Sequence, residues 1–321
     1  PTIRNVWDLG AVLSPPSGGE TVTGRPLLNL SLAVNYAIGG TQVWGYHAVN
    51  LAIHIVASLL VFGVVRRTLI LPLLRDRWGW SATGFAAAVA MLWAVHPLQT
   101  EAVTYIVQRA ESLVATLYLL VLYCTIRGAQ SSTRESRIAW YVAAAMACLF
   151  GMAAKEVMVT APLVVLLFDR AFLTGSFRET LRQRWPLYAS LAATWGLLAF
   201  LVTGTGLIDH QDDLGAPHTL AYVATQPGII LYYLRLCVWP AHLCLDYSWP
   251  ATRDVAVVLP GIVAVGTLGL LTLWGLVRNT AWGFLGAAFF LILSPTSSFV
   301  PLADLAFEHR MYLPLAIVLT F

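Results

Sequence analysis

The chain has 321 residues, of which 58% are hydrophobic and only 11% are charged. Soluble domains carry about 25% charged residues, so the composition excludes a soluble fold and makes lipid the expected solvent. The net charge is +3, and the basic residues are scattered between apolar runs. Neither property indicates a nucleic-acid partner.

The first 44 residues are predicted to form an outer loop. Residues 1–24 are polar, and residues 26–38 are apolar but interrupted by Asn29, Ser31 and Asn35. An apolar stretch this short favours a helix that lies along the membrane surface.

Apolar runs of about twenty residues then predict an all-α, polytopic transmembrane bundle with about nine spans. The predicted spans are 45–65, 82–98, 110–127, 138–154, 157–174, 185–204, 254–277, 281–300 and a last one that begins near 311. Segment 219–239 is apolar but contains Gln226, Pro227 and Arg235. It is compatible with a span, a re-entrant helix or a surface helix.

The basic residues predict how the bundle is oriented, because cytoplasmic loops are rich in Arg and Lys. Alternate loops carry 12 of the 19 basic residues, and the opposite loops carry seven. The first set is therefore predicted to be cytoplasmic, provided that 219–239 does not cross. We expect a multi-pass protein of the bacterial inner membrane or the endoplasmic reticulum.

Five charged motifs fall at the non-cytoplasmic ends of the predicted spans. They are Arg25-Pro26, residues 96–101, residues 108–111, Lys155-Glu156 and Glu308-His309-Arg310. Charged groups at this depth are costly, which makes them candidates for function, although any single motif could be an interfacial anchor. Arginine and lysine interspersed with glutamate suit an anionic ligand, since arginine binds phosphate oxygens in pairs.

Other polar residues are weaker candidates. His47 lies one turn from Asn50 on the first predicted span, where hydrogen bonds between helices are the simpler explanation. His210, Asp212 and Asp213 could suggest a metal site, but a Gly-rich polar loop surrounds them and favours a solvated loop. No metal site is predicted.

The motifs also resemble a known family, the transmembrane and tetratricopeptide-repeat O-mannosyltransferases and their bacterial relatives. The resemblance runs in order over nearly the whole chain. It is carried by residues 25–36, 45–54, 96–111, 153–169, 236–250 and 299–314.

The resemblance implies a fold of the GT-C type and an inverting glycosyltransferase. Such enzymes take a sugar, often mannose, from a polyprenyl-phosphate carrier and transfer it to a Ser or Thr hydroxyl of a protein on the periplasmic or lumenal side. No cofactor beyond this donor is implied; a divalent metal stays open as an alternative, although nothing in the sequence supports it.

Nine residues match motif positions of the family, and together with His47 they are predicted to build the site. The catalytic candidates are Glu101, Glu308 and His96; the donor-phosphate candidates are Arg310, Lys155, Arg109 and Arg25; the supporting candidates are Glu111, Glu156 and His47.

The family's acidic pair in the first outer loop is expected before Pro1, and its tetratricopeptide repeats after Phe321. We therefore expect one GT-C-like domain over 1–321, cut at both ends. Its parts are the first outer loop with its surface helix (1–44), the core spans (45–204), an outer loop with a re-entrant or surface helix (205–253) and the C-terminal spans (254–321).

Two other functions remain open from the sequence. A secondary transporter for an anionic solute could use the same basic cluster, but it predicts an inverted repeat and broken helices near the midplane. A non-catalytic membrane anchor for a repeat domain would not require the five motifs to meet.

Overall fold

The computed structural model describes residues 2–14, 22–204, 215–297 and 305–321. Within these ranges every regular element is helical, which confirms the predicted all-α class. The helices up to residue 204 are α1 (Leu9–Leu13), α2 (Pro26–Gly39), α3 (Val43–Leu69), α4 (Pro72–Trp78), α5 (Ala82–Val95), α6 (Thr100–Thr104), α7 (Arg109–Ala129), α8 (Arg134–Met152), α9 (Ala161–Asp169) and α10 (Phe177–Gly204).

The remaining helices lie beyond residue 214. They are α11 (Gly215–Val238), α12 (Val255–Val277), α13 (Ala281–Leu293) and α14 (Pro314–Thr320). Short 3-10 turns occupy Pro97–Gln99, Ile106–Gln108, Glu156–Thr160 and Glu308–Met311, and a π turn at Arg170–Thr174 extends α9.

Five helical segments of the described chain are long and apolar enough to cross a membrane, or six if the pair α4 and α5, bent by 93°, counts as one span. The five segments are Val43–Leu69, Ile106–Ala129, Glu156–Thr174, Phe177–Gly204 and Val255–Val277. The predicted count of nine is not confirmed. The 13 residues of α13 measure only about 20 Å, against a hydrocarbon core of about 30 Å.

The bundle has two chemically different ends. Three connecting segments (96–108, 153–160 and 305–313) form what we call the motif end. At the other end, Arg67 donates to Gln130 at 2.9 Å, and Arg170 donates to the Leu276 carbonyl at 2.7 Å. We call this the arginine end. Its basic residues belong to the loops that carry most of the positive charge.

Helix α11 packs against the motif end of the bundle. Near its start, the Tyr222 hydroxyl donates to the Thr296 carbonyl at 2.8 Å, and this carbonyl also accepts from Arg310. At its other end, the Cys237 carbonyl lies 3.1 Å from Nε2 of His96. Both ends of α11 therefore contact the same end of the bundle, which favours a surface or re-entrant helix over a span.

Helices α12 and α13 form a hairpin that depends on glycine. A Cβ added at Gly283 would lie 2.2 Å from the backbone carbon of Gly275, so the two backbones meet without a side chain between them. On the exposed face of α12, a Cβ at Gly266 would meet nothing within 4 Å.

Gly283→Ala is expected to destabilise the protein by about 1–3 kcal/mol, because the added methyl group forces the hairpin apart. Gly266→Ala provides the matched control, and it should be neutral or stabilising by about 0.5–1 kcal/mol. Thermal unfolding of both variants in detergent micelles measures the difference. Equal midpoints would contradict the close contact.

Candidate active site

The three connecting segments of the motif end and the first turn of α7 bring four charged or titratable side chains together. They are Glu101 on α6, Glu111 in the first turn of α7, Lys155 before the turn Glu156–Thr160, and His309 in the turn Glu308–Met311. Each is 5–7% exposed. Groups of this kind are rarely buried so deeply unless they are paired, so their partners determine the chemistry of the site.

Glu101 binds one residue through both of its carboxylate oxygens. Oε2 accepts the backbone N–H of His309 at 2.9 Å, and Oε1 lies 2.6 Å from Nδ1 of the same residue. The carboxylate therefore fixes both the main chain and the ring orientation of His309. This contact joins segments that are 208 residues apart.

On the other side of the imidazole, a second carboxylate continues the network. Nε2 of His309 lies 3.6 Å from Oε1 of Glu111, and the Lys155 ammonium donates to the same oxygen. A buried row of alternating groups results: carboxylate, imidazole, carboxylate and ammonium. Such a row can hold and pass protons.

The pKa values in this row are displaced by burial. Burial raises the pKa of Glu101 to about 7, against the backbone N–H of His309, which lowers it. Burial also lowers the pKa of His309 to about 3. The negative charge of Glu111 opposes this shift, and the positive charges of Lys155, Arg310 and Arg25 add to it. At neutral pH, His309 is therefore uncharged and Glu101 can exchange its proton.

The ion pair between Arg25 and Glu156 lies on the side of the cluster that is partly exposed, which we call its open side. Nη2 of Arg25 lies 3.1 Å from each Glu156 oxygen, and the two side chains are 20% and 37% exposed. Because Glu156 follows Lys155 directly, this pair lies next to the buried row. The Leu27 N–H donates to the Ala153 carbonyl at 3.0 Å and holds α2 against this segment.

Arg109 contacts helices α2 and α3. It is fully buried, and its three nitrogens donate to the Asn50 side chain (2.6 Å), the Ser31 carbonyl (3.1 Å) and the Tyr46 carbonyl (3.1 Å). Arg109 therefore ties α2 and α3 to α7, and its predicted role in donor-phosphate binding stays a prediction.

Arg310 and Glu308 flank His309 but point to other partners. Nη1 of Arg310 donates to the carbonyls of Thr296 (3.0 Å) and Leu305 (2.8 Å). Glu308 Oε1 accepts the Tyr247 hydroxyl at 2.5 Å and the Cys244 N–H at 2.8 Å. Burial raises the pKa of Glu308, against both of these hydrogen bonds. Glu308 thus attaches the segment after α11 to the motif end.

The two remaining histidine candidates lie outside the buried row. His96 ends α5: Nδ1 accepts the Leu98 N–H at 3.2 Å, and Nε2 contacts the Cys237 carbonyl. Both ring nitrogens contact the backbone, so His96 stabilises the turn after α5, and its predicted catalytic role stays a prediction. His47 is exposed, whereas its neighbour Asn50 supports Arg109.

Sequence reasoning missed two residues of the site. His309 stands between two candidates that were chosen for their charge, and its place in the same motif was the available signal. Tyr247 could not be separated from the aromatic residues expected at a membrane surface.

Aromatic residues position the turn that carries His309. The Trp93 indole donates to the Tyr312 carbonyl at 2.9 Å, and the Tyr312 hydroxyl lies 2.7 Å from Nδ1 of His54. Trp93 also stacks on His54 at 5.1 Å between ring centroids. The turn is thereby anchored to α3 and α5.

Among the described residues, no group of three or more His, Cys, Asp or Glu side chains could hold a metal ion. The loop with His210, Asp212 and Asp213 lies outside the described residues, so its alternative as a metal site is untested.

Comparisons with known proteins match this chain to curated proteins named protein O-mannosyl-transferase. Tmtc2 of Drosophila melanogaster is 37% identical over 148 residues, which are 45% of this chain and 15% of the relative. Tmtc1 of the same species is 38% identical over 145 residues, again 45% and 15%. F38B6.6 of Caenorhabditis elegans is 26% identical over 230 residues, 70% of this chain and 30% of the relative.

The predicted resemblance is confirmed. The curated homologues are O-mannosyltransferases of the family recognised from the motifs. No family model and no solved structure matches the chain. The aligned segments span only 15–30% of the length of these three relatives.

Acid should destabilise the protein in part through His309. Its lowered pKa means that its contribution to stability is present above its ordinary pKa of about 6.5 and is lost as the pH falls towards 3. His309→Asn removes this titration and keeps an amide that can donate to Glu101.

We expect the drop in unfolding midpoint between about pH 7.5 and about pH 5.5 to be smaller in His309→Asn than in the parent protein. The exposed His47→Asn variant is the control and should keep the parental drop. If the unfolding midpoint of His309→Asn falls between these pH values as far as that of the parent protein, His309 does not resist protonation.

Proposed function

We propose that this chain is the membrane part of an inverting glycosyltransferase of the GT-C type. It transfers a sugar, mannose in the first instance, from a polyprenyl-phosphate donor to a Ser or Thr hydroxyl of a protein. The observation that carries the proposal is the buried row Glu101–His309–Glu111–Lys155, assembled from the segments that resemble the family. The names of the relatives support the same activity.

Proton handling is the task proposed for Glu101 and His309. Transfer forms a bond from the acceptor oxygen to the anomeric carbon, releases the lipid phosphate and frees the acceptor proton. A carboxyl group with a pKa near the working pH is well matched to exchanging such a proton. Because Glu101 binds both the main chain and the ring of His309, it is proposed as a positioning and proton-holding residue that acts through His309.

The donor phosphate is proposed to bind at the open side of the cluster. Arg25 is the most exposed cation there, and a phosphate could displace Glu156 from it and compete with Glu111 for Lys155. Arg310 provides further positive charge from behind the turn. Negative charge grows on the departing phosphate in the transition state, so fixed cations at this point lower the barrier.

The site is proposed to face the periplasm or lumen. Support comes from the concentration of arginines at the opposite end, which is typical of cytoplasmic loops. The motifs converge at one end of the bundle, and a non-catalytic anchor would not require this convergence.

Glu101→Gln should lower kcat for mannose transfer by about a hundredfold and remove the pH dependence of kcat near 7, since glutamine keeps the size but cannot exchange a proton. The measurement uses the full chain in membrane vesicles, a radiolabelled polyprenyl-phosphate mannose and a protein acceptor. Glu179→Gln, at the arginine end, is the control and should transfer normally. Parental kcat with a parental pH profile in Glu101→Gln would rule out the proposed role.

Arg25→Gln should raise KM for the lipid-phosphate donor by about tenfold and leave KM for the acceptor unchanged, because it removes a charge-assisted bond to phosphate. The same vesicles, titrated with donor and then with acceptor, separate the two constants. A rise in the acceptor KM alone would place the phosphate elsewhere.

A further inference from the structure

A second polar feature lies at the arginine end, far from the proposed site. A cavity of about 760 Å³ opens between α8 and α10. Helix α8 runs from this cavity at Arg134 to the segment of Lys155 at the motif end, 19 helical residues long and so roughly 28 Å. The cavity therefore cannot belong to the row Glu101–His309–Glu111–Lys155.

The kink in α10 helps to open this cavity. Arg184 has non-helical backbone angles (φ −131°, ψ 27°), and Pro186 follows inside the same helix. Proline cannot donate the helical hydrogen bond, so α10 bends there. The Arg184 side chain turns inward and pairs with the buried Asp169 at 2.9 Å. Pro186 and Leu187 then form one wall of the cavity.

One face of α8 forms the other wall, and its chemistry changes along the helix. Arg134 and Arg137 lie at the N-terminal end, and Ile138, Val142 and Met146 follow at helical spacing. The three apolar side chains are 43–55% exposed. The wall thus begins with positive charge and continues as an apolar strip about 12 Å long.

Arg134 and Arg137 have one acidic neighbour in the first turn of α8, Glu135, and this residue does not line the cavity. No ion pair or hydrogen bond of the Arg134 or Arg137 side chain is found among the described residues, and no Asp or Glu lines the cavity. Arg184 is already neutralised by Asp169. The partial positive charge of the α8 N-terminus adds to the two arginines.

We propose that this cavity binds one anionic phospholipid. The phosphate lies between Arg134 and Arg137, and an acyl chain lies along Ile138, Val142 and Met146. A molecule with a charged head joined to an apolar chain matches the order of charge and apolar surface along α8. Free inorganic phosphate could occupy only the head position, so the chain distinguishes the two sources of phosphate. The site is independent of the proposed transferase activity.

The test is lipid binding to the full chain in micelles, measured by native mass spectrometry with phosphatidylglycerol and with phosphatidylcholine. Arg134→Gln with Arg137→Gln should weaken phosphatidylglycerol binding about tenfold or more and leave phosphatidylcholine binding unchanged. Arg178→Gln with Arg182→Gln removes the same charge at the same end and should have no such effect. Because the substituted residues are exposed, all these variants should fold.

Two further measurements distinguish a bound phospholipid from bound inorganic phosphate. Ala145→Phe fills the apolar part of the cavity and should weaken phosphatidylglycerol binding while leaving the arginines in place. Millimolar inorganic phosphate should not displace the lipid. Equal losses of phosphatidylglycerol binding in the two double-arginine variants would show that general surface charge explains the binding. This result would overturn the proposal. Displacement by inorganic phosphate, or no loss in Ala145→Phe, would overturn the lipid assignment.

Discussion

The double contact between the Glu101 carboxylate and His309 is the interaction on which the motif end depends. A buried carboxylate must be protonated or paired, because a lone charge away from water is expensive. Glu101 meets this demand with a backbone N–H and an imidazole of one residue. Through that residue, it reaches Glu111 and Lys155. The contact therefore links the segment of Glu101 to the turn Glu308–Met311 and completes the buried row.

The supporting contacts explain why this arrangement is rigid. Arg109 donates three hydrogen bonds to the side chain or carbonyls of α2 and α3, so the start of α7 is fixed, and Glu111 lies only two residues further along. Trp93 and His54 hold Tyr312, which lies three residues beyond His309. Both sides of the row are thus anchored outside the row itself. Anchored groups can stabilise charge without reorganising, which is the basis of electrostatic catalysis.

Much of the fold could be predicted because apolar runs report directly on helices. The predicted span 45–65 lies within α3, and the predicted span 254–277 matches α12 (Val255–Val277) except for Asp254 at its N-terminal cap. The run 281–300 was predicted as a span, but α13 ends at Leu293, since hydropathy alone does not mark where a helix stops. Segment 219–239 was left open, and only its contacts at both ends, through Tyr222 and Cys237, distinguish a surface or re-entrant helix from a span.

The site was predicted in part for a similar reason. Charge at the ends of spans identified Glu101, Glu111 and Lys155, which do meet. It could not distinguish these residues from Arg109, whose charge serves packing, because the difference lies in three partners on distant helices. Because His309 carries little charge, a search for charged residues did not select it, although it occupies the centre of the row.

The separation of Glu101 from its partner has a consequence for how the protein is made. The two residues are 208 positions apart, so the ribosome has to add all of the intervening chain before the pair can close. At about 5–20 residues per second, that interval lasts roughly 10–40 s. During this time α6 has already been synthesised and its carboxylate has no N–H from His309. The charged row can therefore be completed only after residue 309 has been added, so insertion of the earlier helices and completion of the row occur at different moments of synthesis.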